Sequence, residues 1–412
     1  MLQLPCSGGS VFVNSSSMPS RMASLSWGWI RQVRTSWRRR ARDDHRGLAV
    51  ARAADPVGAP VPDEFRNPGS PRCHARRSHR FGRHPWLGGM CHARLAGLQR
   101  RIHRSAVRLI EEYLAPIVLG KDWDPESLRR ALEVVRGHHI ARASVHTAVL
   151  DIWLQAEGQS LAEYLGAVRS EVECGVSVGI PASETIAELL EEVGGYVDAG
   201  YRRIKLKIEP GWDLEPVAAV REGWPSMPLQ VDANQAYTRG DATHLARLDA
   251  FDLLLIEQPL GEEDWWGHRL VAEACATPIC LDESILSVES AESAIEFKAA
   301  SNINIKPGRV GGFLQSKEIH DLCLARDVPV WCGGMLETGV GRAANVALAA
   351  LPGFTLPGDT SASDRYYAED VTEPFVLQNG CLTVPNGPGI GIAPLPEVLA
   401  DRTVQVVELT GR

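Results

Sequence analysis

Lysine is absent from the first 104 residues of this 412-residue chain, although 19 arginines occur there with only five acids, a formal +14. Residues 105–412 hold 24 Lys plus Arg against 46 acids, or −22, and the two parts sum to −8. Other absences narrow the protein's class. Nine cysteines form no C-x-x-C pair, which argues against a zinc site or a disulfide framework and for reduced thiols. No apolar run approaches the roughly 18 residues of a membrane span, and no compact apolar leader is evident, so a cytoplasmic protein with no membrane partner is expected. A 44% hydrophobic and 23% charged composition is that of a globular chain long enough for a large domain and a smaller one.

The arginine-rich segment does not resemble the rest. It contains six of the twelve histidines among Pro, Ser and Gly, with little apolar periodicity, and "SWRRRARDDHR" and "RCHARRSHRFGRH" are its densest runs. One reading is a basic arm that attracts phosphates. The other is a frame-shifted or disordered stretch, since arginine without lysine, with scattered Trp, His and Cys, is what a GC-rich gene gives in the wrong frame. No secondary structure is assigned to it.

From Ala106 the pattern becomes regular. "AVRLIEEYLAPIVLG" predicts an amphipathic helix ending near Pro116, and "DPESLRRALEVV" a second, with Asp124 as N-cap and Pro125 in the first turn. "ASVHTAVLDIWLQAEGQSLAEYLG" predicts a third, broken at Gly158. After Gly175, eight short apolar runs ("VSVGI", "IKLKI", "LQVD", "LLLIE", "PICLD", "NINIK", "PVWCG", "FTLPGD") alternate with helical stretches such as residues 183–199, 262–275 and 312–326. This α/β alternation points to a parallel sheet closed into a barrel, with an open doubly wound sheet as the alternative.

The strand ends carry the polar residues. Lys207, Asp232, Glu257, Asp282 and Lys306 follow one another at intervals of 25, 25, 25 and 24 residues, so each falls at the carboxyl end of its strand, where barrel enzymes hold their active sites. Lys205 shares a face with Lys207, while Ile204, Leu206 and Ile208 take the other. Lysines on an exposed edge strand, or carboxylates that merely cap turns, would explain any one of these residues but not all five. Three carboxylates brought together repel unless a cation holds them, and an all-oxygen site suits Mg²⁺ or Mn²⁺. Beside such a cation Lys207 can move a proton with Lys205 as its helper, and Lys306 can reach the opposite side of the same carbon.

The order KxK, Asp, Glu, Asp, Lys on successive strands resembles the enolase superfamily and its muconate-lactonizing subgroup. "GGMLETGVGRAANVALAALPGFTLPGDTSASDRY" is similar to its o-succinylbenzoate synthase and N-acylamino acid racemase family. The resemblance covers roughly residues 106–412. It implies a modified TIM-like (β/α)7β barrel with a capping α+β domain: residues 1–104 as an atypical part of the cap, 105–170 as its helical remainder, 171–365 as the barrel and 366–412 as a tail returning to the cap. It also implies Asp232, Glu257 and Asp282 as Mg²⁺ ligands, with Asn234 and Glu283 beside them. Lys207 and Lys306 become the acid/base pair and Lys205 the helper. Arg309 would tune Lys306, and Gly334, Met335 and Glu337 would lie near the acyl or succinyl end of a small carboxylate substrate.

The implied chemistry is loss of a proton α to a carboxylate through an enediolate. Dehydration to o-succinylbenzoate, of the menaquinone-biosynthesis type, would follow, and reprotonation would give racemisation of N-acylamino (N-succinylamino) acids. A dedicated racemase is the alternative; a dipeptide epimerase or cycloisomerase is disfavoured by the "GGMLETGVGRAANVALA" run. A reading of another class is a silent barrel with a nucleic-acid-binding arm, although nucleic acid is not the expected partner. The family's habits allow a homo-oligomer. "HPWLGGMCHARLAG" matches the family's cap poorly, which predicts a C-terminal tail without a packing partner.

Overall fold

The structure is a computed structural model that describes residues 11–14, 47–53 and 103–410. Two short strands, β1 (Val11–Asn14) and β2 (Gly47–Ala53), come first and pair antiparallel. After the first helices comes β3 (Glu171–Glu173), followed by seven parallel strands: β4 (Gly175–Val178), β5 (Arg203–Lys207), β6 (Leu229–Asp232), β7 (Ile256–Glu257), β8 (Ile279–Leu281), β9 (Asn302–Ile305) and β10 (Val330–Cys332). β11 (Cys381–Thr383) pairs with β3, and β12 (Thr403–Thr410) pairs with β2, both antiparallel.

The parallel strands neighbour one another in chain order, so the winding never reverses as it would in a doubly wound sheet. The eighth apolar run closes the ring without forming a regular strand. Phe354 bridges to Val330 of β10, and Gly358 bridges to Cys174 beside β4, both in parallel. Gly358 accepts from Gly175 N at 2.7 Å, and Asp359 N donates to Cys332 O at 2.9 Å. Glycine is required at this seam because a Cβ on residue 358 would lie 2.8 Å from the Cys332 carbonyl. The barrel is therefore of the (β/α)7β kind, its eighth member reduced to bridges.

Helices cover the outside as the apolar spacing predicts. Ile186–Asp198, Trp265–Ala274 and Phe313–Ala325 lie within the three helical stretches expected from sequence. Ile204, Leu206 and Ile208 join Leu189, Val193, Val217 and Val220 in the main core, leaving the alternate face of β5 for the barrel interior. The cap helix Pro125–Leu132 is capped by the Asp124 carboxylate, which accepts from Ser127 N at 3.0 Å. Helix His139–Glu157 stops at left-handed Gly158 (φ 73°), and Ser160 caps the next, Leu161–Leu165.

The first helical segment ends at Val118, two residues past Pro116: a π-helical turn, Ile110–Leu114, leads into Ala115–Val118, and the wider turn accommodates the proline's missing N–H. Two expectations need correction. Secondary structure does occur within residues 1–104, where Leu48 and Val50 of β2 alternate with alanines in a short period-two pattern that the surrounding arginines obscure. β12 lies against β2, and Leu409 packs on a cap core that includes Ile110, Leu114 and Leu128, so the tail has partners after all. The "HPWLGGMCHARLAG" stretch and the basic runs lie outside the described residues. Among the described residues no helix is long and apolar enough to cross a membrane.

Candidate functional site

β5 is an interior strand, hydrogen-bonded to β4 on one side and β6 on the other, so its lysines are not an edge defence. Register places Lys207 opposite Asp232, and Asp232 opposite Glu257. Beyond that point the equal sequence spacing does not mean equal level. Glu257 pairs with Cys280, so Asp282 lies further up its strand, and Cys280 pairs with Asn302, so Lys306 lies further still. This rising stagger is what closing a tilted sheet demands. It carries the β9 side of the site higher over the mouth than the β5 side.

On the β5 side the charges interlock. Lys207 Nζ donates to Asp232 Oδ2 at 2.7 Å and to Asn234 Oδ1 at 2.6 Å. Lys205 Nζ lies 2.6 Å from Asp359 Oδ2, 3.1 Å from Glu257 Oε2 and 3.4 Å from Asp232 Oδ2, and 4.8 Å from the centre of the Trp331 ring. Arg203, the third cation on this face, reaches Asp359 Oδ1 at 2.9 Å and also lies over Trp331. Burial works against the Lys205 ammonium, but Asp359, Glu257 and Asp232 outweigh it and hold the group charged, well above its usual range. Burial likewise opposes the Asp232 and Asp359 carboxylates. Lys207 and Lys205 overcome it for Asp232, Lys205 and Arg203 for Asp359, and both acids are held well below the usual carboxylate range.

The β9 side is arranged differently. Lys306 Nζ lies 2.9 Å from Asp282 Oδ2, while Arg309 binds the other oxygen of the same carboxylate. Burial pushes the Arg309 guanidinium down to about 10. Glu283 Oε1 accepts from Asn234 Nδ2 at 3.1 Å, but Oε2 is buried and receives no hydrogen bond. Burial, then the neighbouring Asp232 and Glu257 charges, push Glu283 up to about 7, and burial with the Asp232 charge raises Glu257 also. Lys207 and Lys306 keep 8% of their surface exposed, whereas Glu257 and Asp282 keep none, so the amines are what an entering molecule would meet.

Gln258 fixes the turn after β8. Its Oε1 accepts from Asp282 N at 2.9 Å and Ser284 N at 3.2 Å, and its Nε2 donates to Leu260 O at 3.0 Å and Ser284 Oγ at 2.8 Å. One buried side chain thereby aims Asp282 and Glu283 inwards. Asn304 Nδ2 donates to Glu257 Oε1 at 2.7 Å. Gly333 leaves room for this amide, because a Cβ there would collide with Asn304 and with the Lys306 chain.

The 334–337 segment lies beyond β10. Gly334 rests against the Asp359 backbone, and Met335 N donates to Glu337 Oε2 at 2.8 Å. Asn345 Nδ2 donates to the other Glu337 oxygen at 3.0 Å, so this carboxylate is turned to its own loop rather than to the lysines. Sequence spacing missed Arg203, Gln258, Asn304, Trp331 and Asp359. Arg203 and Asn304 had a signal, since "RIKLK" places Arg203 on the same face as Lys205 and Lys207, and "NINIK" places Asn304 on that of Lys306.

Among the described residues no three carboxylate, imidazole or thiolate groups stand together at cation-binding distances; ammonium and guanidinium groups lie on the carboxylates instead. The donors nonetheless fit a hard divalent ion. Asp232, Glu257 and Asp282 offer oxygens from three successive strands, and the bare Glu283 Oε2 and raised Glu257 are signs of negative charge in want of a cation. Chemically, such a site can hold a carboxylate substrate between two amines and move a proton at the carbon beside it.

Comparison with known proteins agrees with this geometry. Residues 188–398 match the family described as "Enolase C-terminal domain-like". An N-succinylamino acid racemase of an Amycolatopsis species is 58% identical over 305 residues, covering 74% of this chain and 82% of the relative. An o-succinylbenzoate synthase of Geobacillus kaustophilus is 47% identical, covering 69% of this chain and 76% of the relative. The crystal structure of an enolase-superfamily member from Listeria innocua superposes with a TM-score of 0.73 at 32% identity over 98% of both chains. Barrel, strand-end charges and these likenesses together make the chain a member of the enolase superfamily.

Proposed function

We propose that this chain is a Mg²⁺-dependent o-succinylbenzoate synthase that also racemises N-succinylamino acids at the same site. One observation carries the reading: Lys207 and Lys306 stand on opposite sides of the carboxylate strands, each slightly exposed and each held by one carboxylate of the set. Asp232, Glu257 and Asp282 would hold the ion, which when bound supplies positive charge to the substrate carboxylate as its α-proton leaves. One lysine amine removes that proton. In the synthase reaction the β-hydroxyl then departs and, taking up a proton, leaves as water. In the racemase reaction the other lysine returns a proton to the opposite face. A dedicated N-acylamino acid racemase is the second reading, favoured by the 58% identity to the Amycolatopsis racemase. We place the enzyme in the cytoplasm and its dehydration in menaquinone biosynthesis, with Mn²⁺ as an alternative ion.

The test is conversion of the cyclohexadiene precursor to o-succinylbenzoate by the full chain, with Mg²⁺ and then with EDTA, beside racemisation of an N-succinylamino acid. Turnover of both substrates, lost with EDTA and in Lys207→Ala, is expected. Racemisation without dehydration selects the dedicated racemase, and turnover that survives both EDTA and Lys207→Ala rejects both readings.

A further inference from the structure

Three ammonium groups lie on the carboxylates assigned above to a divalent ion, and each must yield for that ion to bind. Lys205 has the largest stake, because its Nζ touches Glu257 Oε2 (3.1 Å) and Asp232 Oδ2 (3.4 Å) at once. Its shortest contact is with neither of them. It is with Asp359 Oδ2 at 2.6 Å, on the segment that closes the barrel. Asp359 N is tied to Cys332 O, and Gly358 is bridged to Cys174, so this carboxylate sits on the seam itself. Arg203 fixes its second oxygen, and the Trp331 ring faces both cations. A buried ammonium cannot simply be released into the interior without a partner.

We propose that Asp359 is a positioning residue that retains Lys205 when a divalent cation takes Glu257 and Asp232, so that cation entry exchanges one buried partner for another instead of stranding a charge. The proposal rests on the assignment of Glu257 and Asp232 as ion ligands. The effect of Asp359 on the ion passes through Lys205. Without Asp359, Lys205 has only the two ligand carboxylates left and competes with the ion for them.

The experiment is calorimetric titration of the metal-stripped full chain with Mg²⁺, arranged as a double-mutant cycle. Wild type, Asp359→Asn, Lys205→Met and the double variant are compared, with melting temperature recorded for each. Asp359→Asn should weaken Mg²⁺ binding roughly tenfold with Lys205 present and less than about twofold in the Lys205→Met background. Asp359→Asn also leaves Arg203 short of a counter-charge, so the same titrations are repeated with Arg203→Met, which removes that guanidinium and keeps the comparison meaningful if the single variant does not fold. Equal weakening in both Lys205 backgrounds would mean that Asp359 acts on the ion as a remote charge and would overturn the proposal while leaving the ligand assignment intact. Wild-type binding that is unchanged in Glu257→Gln, or no binding at all, overturns the ligand assignment and the proposal with it.

Discussion

The two sides of the mouth hold buried cations in contrasting ways. On the β5 side, Arg203, Lys205 and Lys207 face Asp232, Glu257 and Asp359, and Lys207 has a neutral second acceptor in Asn234. On the β9 side, Lys306 and Arg309 share the single carboxylate of Asp282. An ion drawn to Asp232 would leave Lys207 with Asn234. An ion drawn to Asp282 would leave Lys306 and Arg309, two like charges, contending for what remains. The two lysines therefore have similar chemistry but different freedom: Lys207 is held in place, whereas Lys306 is poised by competition.

The contrast is tested most directly by removing each amine. Lys207→Ala and Lys306→Ala should each lower racemisation by roughly 10² to 10⁴, the usual worth of a positioned acid or base. The sharper readout is deuterium exchange at the α-carbon of N-succinylamino acids in heavy water. Each variant should still exchange one enantiomer and fail with the other, because the remaining lysine faces only one side of the carbon. Loss of exchange with both enantiomers in either variant would show that the two sides do not act as separate bases.

A smaller change should loosen the β8 turn while leaving both lysines in place. Gln258→Met strips the acceptor from Asp282 N and Ser284 N, two buried donors whose exposure to nothing costs about 1–3 kcal/mol each. Thermal unfolding should register that loss, and Mg²⁺ affinity should fall by roughly 10- to 100-fold, as when a ligand loses its support. Gln258→Glu retains an acceptor and should recover part of the affinity. If affinity is unchanged while stability falls, the clamp serves the fold alone.

How much of this was legible in the sequence follows from which residues repeat. The β/α unit has a nearly constant length here, so Lys207, Asp232, Glu257, Asp282 and Lys306 announce themselves by spacing, and the barrel is announced with them. The stagger between strands is invisible to such counting, because register is set by closure of the sheet and not by unit length. Asp359 escapes for a related reason: it follows Lys306 by two units, not one, and sits on a segment with no regular strand of its own. Gln258 has no signal at all, since its role depends on a turn that only the fold brings beside it. β2 was hidden by composition, its alternation being only a few residues long among arginines.

Glu283 offers the mildest test, through pH. Burial and neighbouring carboxylates raise it from an ordinary 4.5 to about 7, so the folded metal-free protein favours the protonated acid. The sign follows: this contribution to stability is fully present below about pH 4.5, declines as pH rises, and is gone above about 7. Glu283→Gln imitates the protonated form at every pH. In EDTA the variant should come close to wild type near pH 4.5 and exceed it by about 3 kcal/mol at pH 8, measured as the difference between their denaturant unfolding curves. That difference isolates Glu283 from groups of opposite slope such as His268, which burial pushes down to about 4. Saturating Mg²⁺ should shrink the gap, since a cation beside Asp232 and Glu257 removes the repulsion that raised Glu283. A gap that persists unchanged with Mg²⁺ would mean that burial alone governs this acid, and that the β9 side owes its charge balance to Arg309 and Lys306 rather than to the ion.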